Sequence, residues 1–427
     1  MERGDLLYRQ YIAILEEELR PAMGCTEPIA LAYAGAKARA LLGELPQRID
    51  VAVSGNIIKN VKSVVVPNTG GLRGIAAAVC AGVVAGDAEK ELQVISQVTE
   101  AQQAALRDFM STAQVDIRPS DSELVFDIDI TLYAENHTAR VRIINHHTNI
   151  VLLQKDSEVL LELPVEESSE DHLTDKSCLS IEKIVDFADC LDVNDIRDVV
   201  GRQIEFNMAI AEAGLAGNWG ANIGRVILRQ QGQTLEKRAC AYAAAGSDAR
   251  MSGCEKPVII LSGSGNQGIT ASVPVVIVAR DMNASEEDLL KAVAVSDLVT
   301  IHQKTGIGRL SAYCGAISAG CGAGAGIAYL RGGKFHAVAH TVVNAIAILS
   351  GTICDGAKPS CAAKIAAAVD AGILGYDMYL ENQQFYGGDG IVTKGVDKTV
   401  TNVGRLAREG MRGTDKTILE IMLSDGV

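Results

Sequence analysis

The hydrophobic period of the chain changes across one acidic segment, Pro164-Val-Glu-Glu-Ser-Ser-Glu-Asp-His-Leu-Thr-Asp-Lys176, and this limits the fold more than any other feature. Before it, between residues 123 and 163, four short runs have strand character, with turns near Asn136, His146–Thr148 and Asp156. After it apolar residues recur at helical spacing, over 181–190, 194–212, 219–230, 286–300, 315–330, 335–349 and 361–374. Upstream of the meander the pattern predicts helices over 6–20, 28–43, 75–85 and about 88–112. It predicts strands over 49–53 and 61–66 around a Gly55-Asn56 turn. The expected fold class is therefore α+β. An N-terminal α/β domain with a β-meander spans 1–165, and a mostly helical domain spans 166–427. No tandem repeat is visible.

Length and composition constrain what these domains contain. The 427 residues allow two or three domains with a large core, and hydrophobic residues make up 48% but aromatic ones only 4%. The core must then be built from Ala, Val, Ile and Leu, and 42 glycines allow backbones to approach closely. A net charge of −14 with no compact basic run argues against nucleic-acid binding. The start, Met-Glu-Arg-Gly-Asp-Leu, does not read as a signal peptide, and each Ala-rich stretch is interrupted too early by a charged residue or His to span a membrane. A cytoplasmic protein is expected, in which the ten cysteines are reduced, buried or metal-bound rather than disulfide-bonded.

Four of those cysteines lie on loops: Cys25 in Gly-Cys-Thr-Glu-Pro, Cys314 in Tyr-Cys-Gly-Ala, and Cys354 and Cys361 at the ends of Cys-Asp-Gly-Ala-Lys-Pro-Ser-Cys. Loop-borne thiolates suit a soft metal centre, and three of them on a cubane iron–sulfur cluster leave one iron open as a Lewis acid. The plainer reading is that each is a small buried hydrophobe. Cys321 rivals Cys314, but on a helix the two are roughly 10 Å apart, too far to share a cluster, and Cys314 is on the loop. Cys80, Cys178, Cys190, Cys240 and Cys254 have no ligand spacing and read as structural. Gly263-Ser-Gly-Asn-Gln-Gly268 matches a dinucleotide fingerprint, but Pro274 and a strand-like run leave no room for a crossover helix, so no NAD is expected. The loop is better read as a carboxylate cradle, with Ser264 and Asn266 as substrate-binding candidates beside Asn56 and Asn68. His336 and His340 at i, i+4 lack an acidic partner. His146-His147 sits at a hairpin turn that faces the site if the meander packs over it. His302 is placed on a short loop without an assigned role. No lysine motif marks a pyridoxal phosphate Schiff base.

Five motifs in order, Met23-Gly-Cys-Thr-Glu-Pro-Ile29, Gly246-Ser-Asp-Ala-Arg-Met-Ser-Gly-Cys254, Ser262-Gly-Ser-Gly-Asn-Gln-Gly-Ile269, Gly308-Arg-Leu-Ser-Ala-Tyr-Cys-Gly315 and Ile353-Cys-Asp-Gly-Ala-Lys-Pro-Ser-Cys361, resemble the L-cysteine desulfidase family. That family is related to the iron–sulfur-dependent L-serine dehydratases. The resemblance runs from about residue 5 to the C-terminus. It implies an oxygen-sensitive [4Fe–4S] enzyme with one open iron that converts the small-molecule substrate L-cysteine to pyruvate, ammonia and sulfide. By position it assigns the cluster to Cys314, Cys354 and Cys361 and the reactive cysteine to Cys25. Cys25 then acts as the α-proton base, with a pKa depressed by the helix N-terminus, or as a fourth thiolate at rest. Bacterial serine dehydratases carry Ser-Ser-His-Thr where this chain has Gly24-Cys-Thr26, which favours cysteine as substrate. The rival readings are an L-serine ammonia-lyase and a non-catalytic protein that holds zinc or senses redox state. A homodimer is the expected assembly.

Overall fold

A computed structural model describes residues 1–122, 124–165, 173–308 and 310–424. Most of the acidic segment that carries the expected domain boundary, 166–172, lies outside the described residues, as does Arg309. The chain opens with α1 (Leu6–Glu18), β1 (Arg20–Met23), α2 (Thr26–Leu42), β2 (Arg48–Val53), α3 (Gly55–Val61), α4 (Gly74–Ala85) and α5 (Glu100–Thr112). Then come β3 (Gln114–Pro119), β4 (Asp127–Tyr133), β5 (Thr138–Ile144), β6 (Ile150–Lys155) and β7 (Glu158–Glu162). These five strands and β2 form one sheet in the order β3-β2-β4-β5-β6-β7, parallel only between β2 and β3.

Strand alternation gives this sheet two different faces. Ile128, Ile130, Leu132, Val141 and Ile143 are fully buried on one, in a core shared with α2 and α4. The other carries ion pairs, Arg140 with Asp129 and Arg142 with Asp127, each with a guanidinium Nε–carboxylate contact of 2.9 Å. Burial on a single face is what let the meander be read from its alternation.

The helical half comprises α6 (Ile181–Cys190), α7 (Arg197–Ala216), α8 (Ile223–Gln230), α9 (Leu235–Met251), a short β8 (Pro257–Ile260), α10 (Gly265–Met282), α11 (Glu286–Ile307), α12 (Gly315–Leu330), α13 (Phe335–Leu349), α14 (Cys361–Leu380), α15 (Val396–Arg405) and α16 (Arg412–Ser424). The mixed α/β architecture, a sheet in the N-terminal half and helices after it, is the expected class. At its centre α12 packs against α10, α11, α13 and α14. Glycines make this possible: a Cβ at Gly324 would lie 2.4 Å from the Gly372 carbonyl oxygen of α14, and one at Gly322 2.4 Å from the Ser296 carbonyl oxygen of α11. Among the described residues no helix is long and apolar enough to cross a membrane.

Three connections tie the halves together. α1 belongs to the helical core, with Tyr8 and Tyr11 each 5.2 Å in ring-centroid distance from Phe187. β1 pairs antiparallel with β8, from Arg20 opposite Ile260 to Met23 opposite Pro257. At the other end α16 returns to α3, where Asp415 pairs with Lys59 at 2.5 Å and Lys62 Nζ donates to the Met422 carbonyl at 2.6 Å.

Local expectations failed where β-branched residues are buried on all sides. Residues 61–66 are the end of α3 and a loop, with one bridge from Val65 to Arg73. The run after Gly268 is the body of α10, and Pro274 sits inside that helix. Room for a helix after the glycine loop therefore does exist. What the dinucleotide fold requires is a parallel sheet, and among the described residues β8 pairs with β1 alone, in a two-stranded antiparallel sheet. His302 lies within α11 and bonds Asp397 at 2.8 Å. The parallel edge strand β3 and the Ala-rich α9 had no sequence expectation.

Two outcomes follow from this packing. Gly324→Val is expected to destabilise the fold by about 1–3 kcal/mol in urea denaturation, as overpacking does, whereas Gly351→Ala, with nothing within 4 Å, is expected to be neutral. The buried Asp297 accepts from Gln203 Nε2 at 2.9 Å, and burial pushes its carboxyl from 3.8 up to about 8. The folded state holds that proton, so its stabilising contribution is complete below about pH 4 and is lost as pH rises through about 8. Asp297→Asn is expected to flatten the decline of unfolding free energy across that interval.

Candidate active site

Four helices begin at one cavity of about 110 Å³. Cys25 is the N-cap of α2, Ser264 that of α10 and Cys314 that of α12, and Cys361 opens α14. All four line the cavity, together with Cys354 and Asn266. The first amides of a helix have no partner within it and carry its positive dipole end, so this convergence favours anionic groups.

Backbone pairing sets the convergence. The β1–β8 ladder places Cys25, two residues beyond β1, beside the glycine loop that follows β8, where Thr26 Oγ1 lies 3.0 Å from the Gly263 carbonyl. An antiparallel bridge between Tyr313 and Ile353 joins the other two loops: Cys314 N donates to Thr352 O at 3.1 Å, and Cys354 N to Ala312 O at 2.6 Å. Lys364 holds the loop between Cys354 and Cys361, donating to Ile353 O at 2.8 Å and Asp355 Oδ1 at 2.7 Å. Gly356 has φ of +98°, and a Cβ there would lie 2.1 Å from the Lys59 carbonyl, so only glycine lets this loop rest on α3.

Burial pushes the Cys314 thiol up to about 12, and Cys354 and Cys361 beside it push in the same direction. Cys361 is raised too, again chiefly by burial. Cys314, Cys354 and Cys361 are three soft donors lining one cavity, and such a donor set fits a polynuclear metal–sulfur group, which takes one thiolate per metal. Among the described residues no three His, Cys, Asp or Glu side chains gather as ligands of a single ion.

The other wall is polar. Cys25 Sγ donates to Glu27 Oε2 at 3.2 Å, and Asn60 Nδ2 donates to Glu27 Oε1 at 3.0 Å. Burial first, then the Glu27 charge, pushes the Cys25 thiol well above its ordinary range, and Arg250 opposes this. The depressed pKa expected from the helix N-terminus is therefore reversed: desolvation and a carboxylate two residues away outweigh the dipole. Arg250 Nε, Asn266 Oδ1, Gln267 Oε1 and Tyr313 OH are buried without a protein partner, and all four residues line this cavity. Gly265 makes space for the arginine, since a Cβ there would lie 2.3 Å from Arg250 Nε. Lys59 and Lys304 add further cationic side chains to the lining.

Two of the candidates lie elsewhere. Asn56 lines an adjoining cavity of about 340 Å³ that shares Gly263, Leu310 and Ser311 with the first, and its Oδ1 is buried without a partner. His146 and His147 line that second cavity as well, so the meander turn does reach the neighbourhood of the site. Asn68 occupies a left-handed turn with φ of 58°, and its side chain donates to the Ile95 carbonyl at 2.8 Å. His340 stacks on Tyr379, and Cys321 is buried inside α12 with Sγ 3.5 Å from Val342 O. Sequence reading missed Glu27, Asn60, Arg250, Gln267 and Lys304 as site residues. Glu27 and Arg250 stood inside quoted motifs, and their charge in otherwise apolar surroundings was the available signal.

A family described as serine dehydratase alpha chain matches residues 89–420. The chain belongs to that family. It is similar to the UPF0597 protein of Desulfitobacterium hafniense, 55% identical over 424 residues that cover 99% of each chain. UPF0597 proteins of Treponema denticola and Fusobacterium nucleatum are 44% and 46% identical, covering 98% and 96% of this chain and 98% of each relative. Every motif that lines the cavity except the first, around Cys25, falls within the family match.

Proposed function

We infer that this member of the serine dehydratase alpha chain family is an iron–sulfur-dependent lyase that eliminates sulfide from L-cysteine. The observation that carries the reading is one cavity lined by Cys314, Cys354 and Cys361 on one side and by Cys25, Arg250 and the start of α10 on the other. The three cysteines would hold the cluster, and a bound cluster with three protein thiolates supplies an open, Lewis-acidic iron for a sulfur leaving group.

The chain's own groups supply the rest. Arg250, Asn266 and the first amides of α10 hold the substrate carboxylate, which fixes the α-hydrogen toward Cys25. Cys25 removes the α-proton, a role that its hydrogen bond to Glu27 supports. The electron pair left on the α-carbon forms the double bond as the carbon–sulfur bond breaks. Released aminoacrylate takes up water and gives pyruvate and ammonia.

The family match favours a second reading, elimination of water from L-serine on the same groups. It differs at the leaving group, which would be a harder oxygen. The protein reconstituted anaerobically with iron and sulfide is expected to release sulfide and pyruvate in equal amounts from L-cysteine, and to lose this activity in air. Pyruvate from L-serine alone would establish the second reading. Cys314→Ser, Cys354→Ser and Cys361→Ser are each expected to lower bound iron and visible absorbance severalfold and to abolish turnover. Cys321→Ser is expected to retain both.

A further inference from the structure

Cys25 and Glu27 form a pair whose chemistry exceeds what a reactive thiol alone provides. Glu27 is 7% exposed, and its carboxylate is the only one lining the cavity among the described residues. Both oxygens are fixed. Oε1 accepts from Asn60 Nδ2 at 3.0 Å, while Oε2 lies 3.2 Å from Cys25 Sγ and 3.1 Å from Thr26 Oγ1. The carboxylate sits in the first turn of α2. Cys25 is 2% exposed and touches Val64, Met251 and Ala357, which leaves the Glu27 carboxylate as the hydrogen-bond acceptor recorded for its thiol proton.

We propose that Glu27 is the proton acceptor that converts Cys25 to the reactive thiolate, an inference that rests on the lyase reading above. In the step, the Cys25 S–H bond breaks and an O–H bond forms at Glu27 Oε2. The thiolate then takes the substrate's α-proton, the carbon electron pair becomes the double bond, and the carbon–sulfur bond breaks. The proton on Glu27 goes to the departing sulfide, which restores both side chains. Asn60 acts as a positioning residue that keeps Oε2 turned toward the sulfur.

The test uses the full chain with Glu27→Gln, which keeps an acceptor oxygen and the side-chain length but removes the basicity. Sulfide release from L-cysteine is expected to fall by about 100-fold or more, in line with loss of a general base, while iron content and visible absorbance after reconstitution stay at the wild-type level. The second readout needs no cluster: iodoacetamide labelling of Cys25 as a function of pH, followed by mass spectrometry of its peptide. The other titratable groups lining the cavity, Lys59 of α3, Arg250 of α9, Lys304 of α11, Tyr313 and the three cluster thiols, are the same in both proteins. Removing the Glu27 charge is therefore expected to move the labelling profile to lower pH, so that the thiol gains reactivity as the enzyme loses turnover. Glu27→Asp, which keeps the carboxylate, is expected to recover part of the turnover lost in Glu27→Gln. Turnover within threefold of wild type in Glu27→Gln, or an unchanged labelling profile, would overturn the proposal. Wild-type protein that carries a cluster but releases no sulfide would instead refute the lyase reading, and the labelling shift would still decide whether Glu27 controls the Cys25 proton.

Discussion

Four helix N-termini meet at one point, and the rest of the structure follows from holding them there. Each brings unpartnered backbone amides and a partial positive charge, so α2, α10, α12 and α14 would repel one another without an anion or a hydrogen-bonding ligand between them. The packing that opposes this repulsion is the close approach of α12 to its neighbours. Gly320 and Gly324 meet α14, and Gly322 and Gly326 meet α11, at distances no larger residue permits. Scarcity of aromatic residues and abundance of glycine are thus conditions for the site, because they bring the helix starts within reach of a single small ligand.

This electrostatic setting also sorts the cysteines. Cys314, Cys354 and Cys361 sit where two loops are joined by a backbone bridge, beside Lys364. Cys25 sits across the cavity against a carboxylate, which holds its proton in place. The four thiols around this cavity therefore meet different surroundings: Cys25 and Cys314 are buried, Cys354 and Cys361 half-buried, and Cys25 faces the Glu27 carboxylate. The second cavity, which opens on the same Gly263 and Ser311, gives Asn56 and the meander histidines a place near the site but outside its first wall.

The meander and helices such as α6 and α13 were legible because each buries one face or one stripe, and α12, buried almost all round, because its Gly and Ala run holds few strand-forming residues. The expected start and end of α6, α12 and α13 coincide with the observed ones. α10 was not legible, since a helix buried all round has no polar stripe and its Val and Ile residues mimic a central strand. The cavity was legible in its cysteines and glycine loop, whose residue types are unusual. Arg250 and Glu27 were not, because a single charged residue in a helix reads as surface until tertiary contacts bury it. The wrong sign for the Cys25 thiol has the same origin. Sequence shows the helix start but not the desolvation, and desolvation is the larger effect.

The central claim is that three cysteines hold a cluster whose remaining iron meets the substrate sulfur. Mössbauer spectroscopy of the protein reconstituted anaerobically with iron-57, before and after addition of L-cysteine, addresses it most directly. One iron site distinct from the other three is expected, and this site alone is expected to shift when L-cysteine is added. Four irons that are alike and unmoved by L-cysteine, or iron that is not retained as a cluster, would contradict it.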